Sequence, residues 1–148
     1  MKTKVFIDGH EGTTGLRIHE RLSLRDDITM ISIDDSLRKD PQEVKKRLAE
    51  ADIAFLCLPD AAAAEAAALA EGSKVRIIDT ATIHRTTPGW VYGFPELSQQ
   101  QRQAIATASR VGNPGCHAIL IELLTDEGLG TMFVSPSYEE EAVQEAYV

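Results

Sequence analysis

The sequence predicts an α/β fold on a doubly wound, mostly parallel sheet, and three observations carry that prediction. Short apolar runs rich in Val and Ile alternate with helix-period patterns along most of the chain, as strand–crossover–strand units do. The first such run leads directly into three evenly spaced glycines and then an amphipathic segment. The polar loops that could carry chemistry come after strands, and open parallel sheets bind ligands beyond the carboxyl ends of their strands. With 148 residues, the chain has room for one ordinary domain with a real core, expected to span 1–148.

A net charge of −8 leaves no basic stripe for nucleic acid or a membrane surface, so neither partner is expected. No run is long enough for a membrane span, and Met1-Lys-Thr-Lys enters a strand without a signal-peptide pattern, so a cytoplasmic protein is expected. The two cysteines, Cys57 and Cys116, are too far apart in sequence for a metal knuckle or a redox pair. No metal and no disulfide framework are expected.

In order, Lys4 to Asp8 is the first strand and Thr13 to about Leu24 the first helix. Gly9, Gly12 and Gly15 lie at their junction, spaced G-x-x-G-x-x-G. Glycines there allow a tight turn, close ligand approach and close helix packing. The helix N-terminus offers N–H groups to a phosphate, and Thr13 and Thr14 add hydroxyls or a cap. On glycine spacing alone, a dinucleotide turn and a plain tight turn both remain open. Ile28 to Ile33 is the second strand, and the loop Asp34-Asp-Ser36-Leu-Arg38-Lys39-Asp40 follows. Such a loop reads the adenosine ribose in dinucleotide folds. Ser36, Arg38 and Lys39 suit a 2′-phosphate, whereas Asp34 and Asp35 suit a free 2′-hydroxyl.

Pro41 opens a helix through Val44 and Leu48 to Ala51, and Asp52 to Leu58 reads as a buried third strand containing Cys57 as a core residue. After Pro59-Asp60 an alanine-rich helix runs to Glu71, with Gly72 as its stop. Val75 to Asp79 is the fourth strand, and the polar loop Thr80 to Gly89 beyond it holds Thr82 and Arg85, each either a pocket residue or part of a solvated turn. Trp90, Tyr92 and Phe94 read as packing, ahead of a polar helix from Ser98 to Ala108. Arg110 to Gly112 is a short strand, Asn113-Pro-Gly-Cys116 a sharp turn, and a further helix is expected from about Cys116 to Glu127. A cysteine at a strand-to-helix junction has its thiolate favoured by the helix N-terminus, so Cys116 reads as a nucleophile or an inert buried thiol. No Arg follows closely enough for a phosphate-cradling cysteine loop. The architecture expected is Rossmann-like.

Four segments together resemble N-acetyl-gamma-glutamyl-phosphate reductase in its shorter bacterial variety. They are Phe6-Ile-Asp-Gly-His-Glu-Gly-Thr-Thr-Gly15, Asp79-Thr-Ala-Thr-Ile-His-Arg85, Gly89-Trp-Val-Tyr-Gly-Phe-Pro-Glu-Leu97 and Gly112-Asn-Pro-Gly-Cys116. The resemblance covers about residues 1 to 118. It implies NADP(H) as cofactor and the reduction of an acyl phosphate, N-acetyl-glutamyl 5-phosphate, to its semialdehyde in arginine biosynthesis. It makes Cys116 the thioester-forming nucleophile. It puts Gly9, Gly12, Thr13, Thr14, Gly15, Ser36, Arg38, Lys39 and Thr82 on the cofactor side, and Arg85 and Asn113 on the substrate side.

Members of that family are longer, with an inserted domain that carries the catalytic histidine and the dimer sheet, and no such domain is read here. Homo-oligomerisation therefore stays open. His10, His19, His84 and His117 match no family base, and none is assigned. A last helix from Ser137 is expected, with a Ser137-x-x-Glu140 capping box and a stripe of Tyr138, Ala142, Val143, Ala146 and Tyr147. The resemblance, to a superfamily whose final helix packs back on the nucleotide domain, implies that role for it, and a non-native tail is the alternative. The competing readings are a non-catalytic NADP-binding module and a related semialdehyde dehydrogenase with another acyl phosphate.

Overall fold

The computed structural model describes residues 2–115. The chain groups into two compact units, Met1–Asn113 and Pro114–Val148. The predicted helix from Cys116, the segment 119–148 and the capping box at Ser137 lie outside the described residues.

The first unit is a six-stranded sheet with every neighbouring pair parallel. Its strands are β1 (Thr3–Asp8), β2 (Ile28–Ile31), β3 (Ile53–Leu56), β4 (Arg76–Asp79), β5 (Val91–Tyr92) and β6 (Arg110–Gly112), in the spatial order β2-β1-β3-β4-β6-β5. The helices are α1 (Thr13–Ser23), α2 (Pro41–Glu50), α3 (Asp60–Leu69) and α4 (Gln99–Thr107). Strands β2 and β3 flank β1 on opposite sides, so the winding reverses between β1 and β3. That reversal opens a crevice at the carboxyl ends of β1 and β3, where doubly wound sheets take ligands.

The register assigns the faces. Phe6, Ala54 and Ile77 align across β1, β3 and β4, and they meet Val44 and Leu48 of α2 and Ala66 and Ala70 next to them in a fully buried cluster. The alanines of α3 suit this cluster because short side chains let the helix sit close to the sheet. Ile7 and Met30 point to the other face, where they line a cavity of about 90 Å³ with His19 of α1. Helix α2 begins where the sequence placed it: Pro41 is at the first position and the Asp40 carboxylate accepts the Gln42 N–H at 2.9 Å.

Strands β2, β3 and β4 are shorter than the sequence suggests. Val75 and Cys57 fall just outside β4 and β3, and β2 stops at Ile31. Strand β5 was not expected at all. Two residues among aromatics carry no alternation signal, and Val91 and Tyr92 are extended only because they pair with Val111 and Gly112. As a result β4 and β5 are joined by a loop with no helix between them.

Candidate functional site

Strand β1 ends at Asp8 and the chain reverses through Gly9 to Gly12 into α1. Gly9 has φ +83°, and a methyl there would collide with the Cys57 carbonyl. A methyl on Gly15 would collide with the Gly9 carbonyl and come within 2.8 Å of His10 Cα, so α1 packs directly on the turn. Gly12 differs: a methyl there would meet only the Gly9 carbonyl, at 3.4 Å. Two of the three glycines are needed for packing and one leaves open space.

Gly12 is also the N-cap of α1 and makes no side-chain cap hydrogen bond. The capping role offered for Thr13 and Thr14 is therefore not taken up, because the N-cap falls one residue earlier. Both threonines are exposed at the start of α1. The first-turn N–H groups and the positive end of the helix dipole are open to an anion. An uncapped helix start behind an open glycine fits a pyrophosphate.

The loop after β2 folds as consecutive turns, with Leu37 N–H donating to the Asp34 carbonyl and Asp40 N–H to the Leu37 carbonyl, each at 2.8 Å. The Asp34 carboxylate accepts both the Ser36 N–H at 2.9 Å and the Ser36 hydroxyl at 2.5 Å. These bonds hold the Asp34 carboxyl below its ordinary range. Ser36 thus spends its hydroxyl proton inside the loop. Arg38 forms an ion pair with Glu11 of the glycine turn, and His10 approaches Asp35 at 3.9 Å. Together His10, Glu11 and Asp35 bring three ligand-type atoms within 4.8 Å of one another. All three are at least partly solvated and Glu11 is already neutralised by Arg38, so the group reads as a surface charge network. Lys39 is exposed on the same loop.

At the other side of the crevice, Asp79 ends β4 with no exposure and His84 is 6% exposed. His84 Nδ1 lies 2.5 Å from Asp79 Oδ2, and its ring stacks on Trp90 at 3.9 Å and 9°. Asp79 Oδ1 accepts the Ala81 N–H, and its main-chain carbonyl accepts the Asn113 N–H at 2.7 Å. A methyl on Gly112 would lie 2.6 Å from the His84 carbonyl oxygen. The β4 loop and the end of β6 are thus packed together, with Asn113 three residues before Cys116. Thr82 donates its main-chain N–H to Asp60 at the start of α3, and Arg85 donates its own to the Thr82 carbonyl. Trp90 packs against the core and Phe94 is buried, as packing residues should be.

Asp8 is largely buried at the end of β1, and desolvation raises its carboxyl above the ordinary range against a Gly9 N–H bond that lowers it. Cys57 is half-buried just past β3, outside the strand that was expected to hold it. Burial pushes its thiol up, and the nearby Asp79 and Asp8 add to that rise. A thiol raised in this way is a poor nucleophile. Sequence reasoning missed the Asp79–His84 pair, although an Asp closing an apolar strand five residues before a His, with a Trp beyond it, was the available signal. Cys116 itself lies outside the described residues.

The chain is 55% identical over 113 residues to N-acetyl-gamma-glutamyl-phosphate reductase 2 of Pseudomonas putida, covering 76% of this chain and 36% of that protein. It is 56% identical over 116 residues to N-acetyl-gamma-glutamyl-phosphate reductase of Trichormus variabilis, with 78% and 36% covered. With the enzyme of that name from Brucella ovis it shares 51% over 134 residues, with 87% and 43% covered. The chain therefore spans about two fifths of the length of these relatives. Among solved structures, aspartate semialdehyde dehydrogenase from Francisella tularensis superposes with a TM-score of 0.63 at 18% identity, over 85% of this chain and 41% of that one. Aspartate semialdehyde dehydrogenase II from Vibrio cholerae, complexed with ASA, gives 0.59 at 17% identity, over 84% and 44%. These two show the shared fold. Residues 4–107 match the family described as semialdehyde dehydrogenase, NAD binding domain, and with the glycine turn at the winding reversal of a parallel sheet, the chain belongs to that family.

Proposed function

We propose that the chain is the nucleotide-binding part of an NADPH-dependent reductase that converts N-acetyl-glutamyl 5-phosphate to N-acetyl-glutamate 5-semialdehyde, a cytoplasmic enzyme of arginine biosynthesis. The observation that supports it most is the convergence at one sheet edge of the glycine turn, the loop after β2, the β4 loop and the end of β6. Gly12, Thr13 and Thr14 would hold the cofactor pyrophosphate at the α1 N-terminus, while Arg38 and Lys39 would take the 2′-phosphate. Ser36 shapes their loop through Asp34, and Thr82, whose main-chain N–H donates to Asp60 at the start of α3, would contribute a hydroxyl to the cofactor side. When bound, the nicotinamide supplies the hydride.

The remaining chemistry belongs to the chain. The Cys116 thiolate attacks the acyl carbon, the C–O bond to phosphate breaks, and inorganic phosphate leaves a thioester on sulfur. After reduction of the thioester carbonyl, the resulting thiohemiacetal expels the thiolate and releases the aldehyde. Arg85 and Asn113 would orient the acyl phosphate, and main-chain N–H groups near residue 116 would meet the developing oxyanion. The partners of this reading are the small acyl phosphate and the cofactor, with no nucleic acid or membrane. No helix among the described residues is long and apolar enough to cross a membrane.

A second reading is a cofactor-binding module without turnover. Two of the described histidines favour it, since His84 is committed to Asp79 and His10 faces Asp35. The deciding assay is phosphate-dependent reduction of NADP⁺ by N-acetyl-glutamate semialdehyde, run on the chain and on Cys116→Ala. Activity abolished by the substitution with cofactor binding retained supports the reductase. Cofactor binding with no turnover in either protein supports the module.

A further inference from the structure

The turn after β1 and the loop after β2 are neighbours because their strands pair in register, Phe6 with Ile31. Two charge contacts join them: Glu11 with Arg38, and His10 with Asp35. The first pair is exposed to solvent, with 41% of the Arg38 side chain and 53% of the Glu11 side chain accessible. It spans the place where a doubly wound sheet seats the adenosine ribose, at the carboxyl ends of its first two strands. The guanidinium suited to a 2′-phosphate is therefore not waiting empty. It already has an anionic partner, supplied by the glycine turn.

We infer that Glu11 is a specificity-determining residue that competes with the cofactor 2′-phosphate for Arg38 and so weakens NADP(H) binding relative to NAD(H). This rests on the assignment of Arg38 to the 2′-phosphate made above. A phosphate monoester near neutral pH carries between one and two negative charges, and it binds a guanidinium through two parallel hydrogen bonds. It can displace a carboxylate. The displaced Glu11 carboxylate then stays on the same short turn, close to the phosphate, and like charges at that range repel. NAD(H) has a hydroxyl there and leaves the Glu11–Arg38 pair intact. Asp34 is a weaker candidate for this discrimination, because the Ser36 N–H and hydroxyl both bind its Oδ1 and turn it into its own loop, whereas Glu11 pairs with Arg38 directly. Lys39, exposed on the same loop, adds attraction for the phosphate without an anion from the turn opposing it.

The test is a fluorescence titration of NADPH and NADH against the 148-residue chain, its Glu11→Gln and Arg38→Ala variants, and the double variant. Glu11→Gln should tighten NADPH about tenfold, the size expected for one nearby unit charge at a solvated site, and leave NADH within about twofold. The gain should shrink in about 0.5 M salt, where the Debye length falls below the spacing of exposed charges. In the Arg38→Ala background the gain should shrink, because only the direct repulsion between Glu11 and the phosphate is left. Selective loss of NADPH in Arg38→Ala without any gain in Glu11→Gln overturns the inference and leaves the Arg38 assignment standing. An equal gain for both nucleotides also overturns it, since Glu11 would then act on the shared pyrophosphate. Equal losses of both cofactors in Arg38→Ala, or no binding by a folded chain, remove the Arg38 assignment and the inference together.

Discussion

At the scale of single residues, the three glycines of the β1–α1 turn look equivalent in the sequence and are not. Gly9 and Gly15 are pinned by backbone, the first also by its positive φ, whereas a methyl on Gly12 would touch only the Gly9 carbonyl, at an ordinary contact distance of 3.4 Å. Gly15→Ala should therefore cost about 1–3 kcal/mol in urea unfolding, as overpacking against a backbone that cannot retreat does. Gly12→Ala should fold normally and lose cofactor affinity, because its methyl intrudes only where the pyrophosphate would lie. Asp8 sets a pH dependence. Its carboxyl is raised by desolvation, so its contribution to stability is fully present below the ordinary carboxylate range near 3.9 and is lost as pH rises through the higher folded value. Asp8→Asn, which can still accept the Gly9 N–H, should melt together with the wild type at acid pH. It should melt above it at pH 7, and a series of thermal melts across that range checks the sign.

At the scale of elements, two arginines in neighbouring strands finish two helices. Arg76 of β4 donates from Nε to the Ala108 carbonyl at 2.9 Å and from Nη2 to the Ile105 carbonyl at 3.0 Å, at the carboxyl end of α4. Arg110 of β6 donates to the Val75 carbonyl at 2.9 Å and reaches the Ala70 carbonyl at the end of α3. The Arg76 guanidinium satisfies carbonyls at the end of α4 that have no intrahelical partner, whereas Arg110 adds a long bond to an Ala70 carbonyl that Ser73 already caps; both oppose the negative end of a helix dipole. Arg76→Ala should destabilise the unit by about 2 kcal/mol, the scale of charge-assisted hydrogen bonds that leave buried carbonyls behind. Hydrogen exchange should quicken first in α4, which buries no residue completely. None of this was legible in the sequence. Helix starts were, through Asp40-Pro41 and Ser98, because caps act within one turn, whereas these stops depend on side chains 29 to 40 residues away.

At the scale of the whole molecule, the winding reversal between β1 and β3 brings segments far apart in sequence to one edge. Asp79 holds His84 through its side chain and Asn113 through its main chain, so the fourth strand organises both the loop after it and the end of β6. Asp79→Ala should cost about 1–3 kcal/mol, since it leaves a buried hydrogen-bonding group of His84 without its partner. A urea midpoint shift of that size, with Asp79→Asn recovering part of it by returning an acceptor to the His84 Nδ1–H, is the expected result.

The sequence by itself determined the class of fold, the order of its strands and helices apart from β5, and the turn suited to a phosphate. Those depend on local rules: apolar periodicity, glycines at one junction, caps within a turn. Tertiary structure decided which glycines pack and which admits a ligand, that the Arg38 charge is answered by Glu11, that Val91 and Tyr92 form a strand, and that His84 is buried with Asp79 under Trp90. Each of those outcomes depends on a neighbour supplied by another strand, turn or loop, and the parallel register of the sheet decides which neighbour that is.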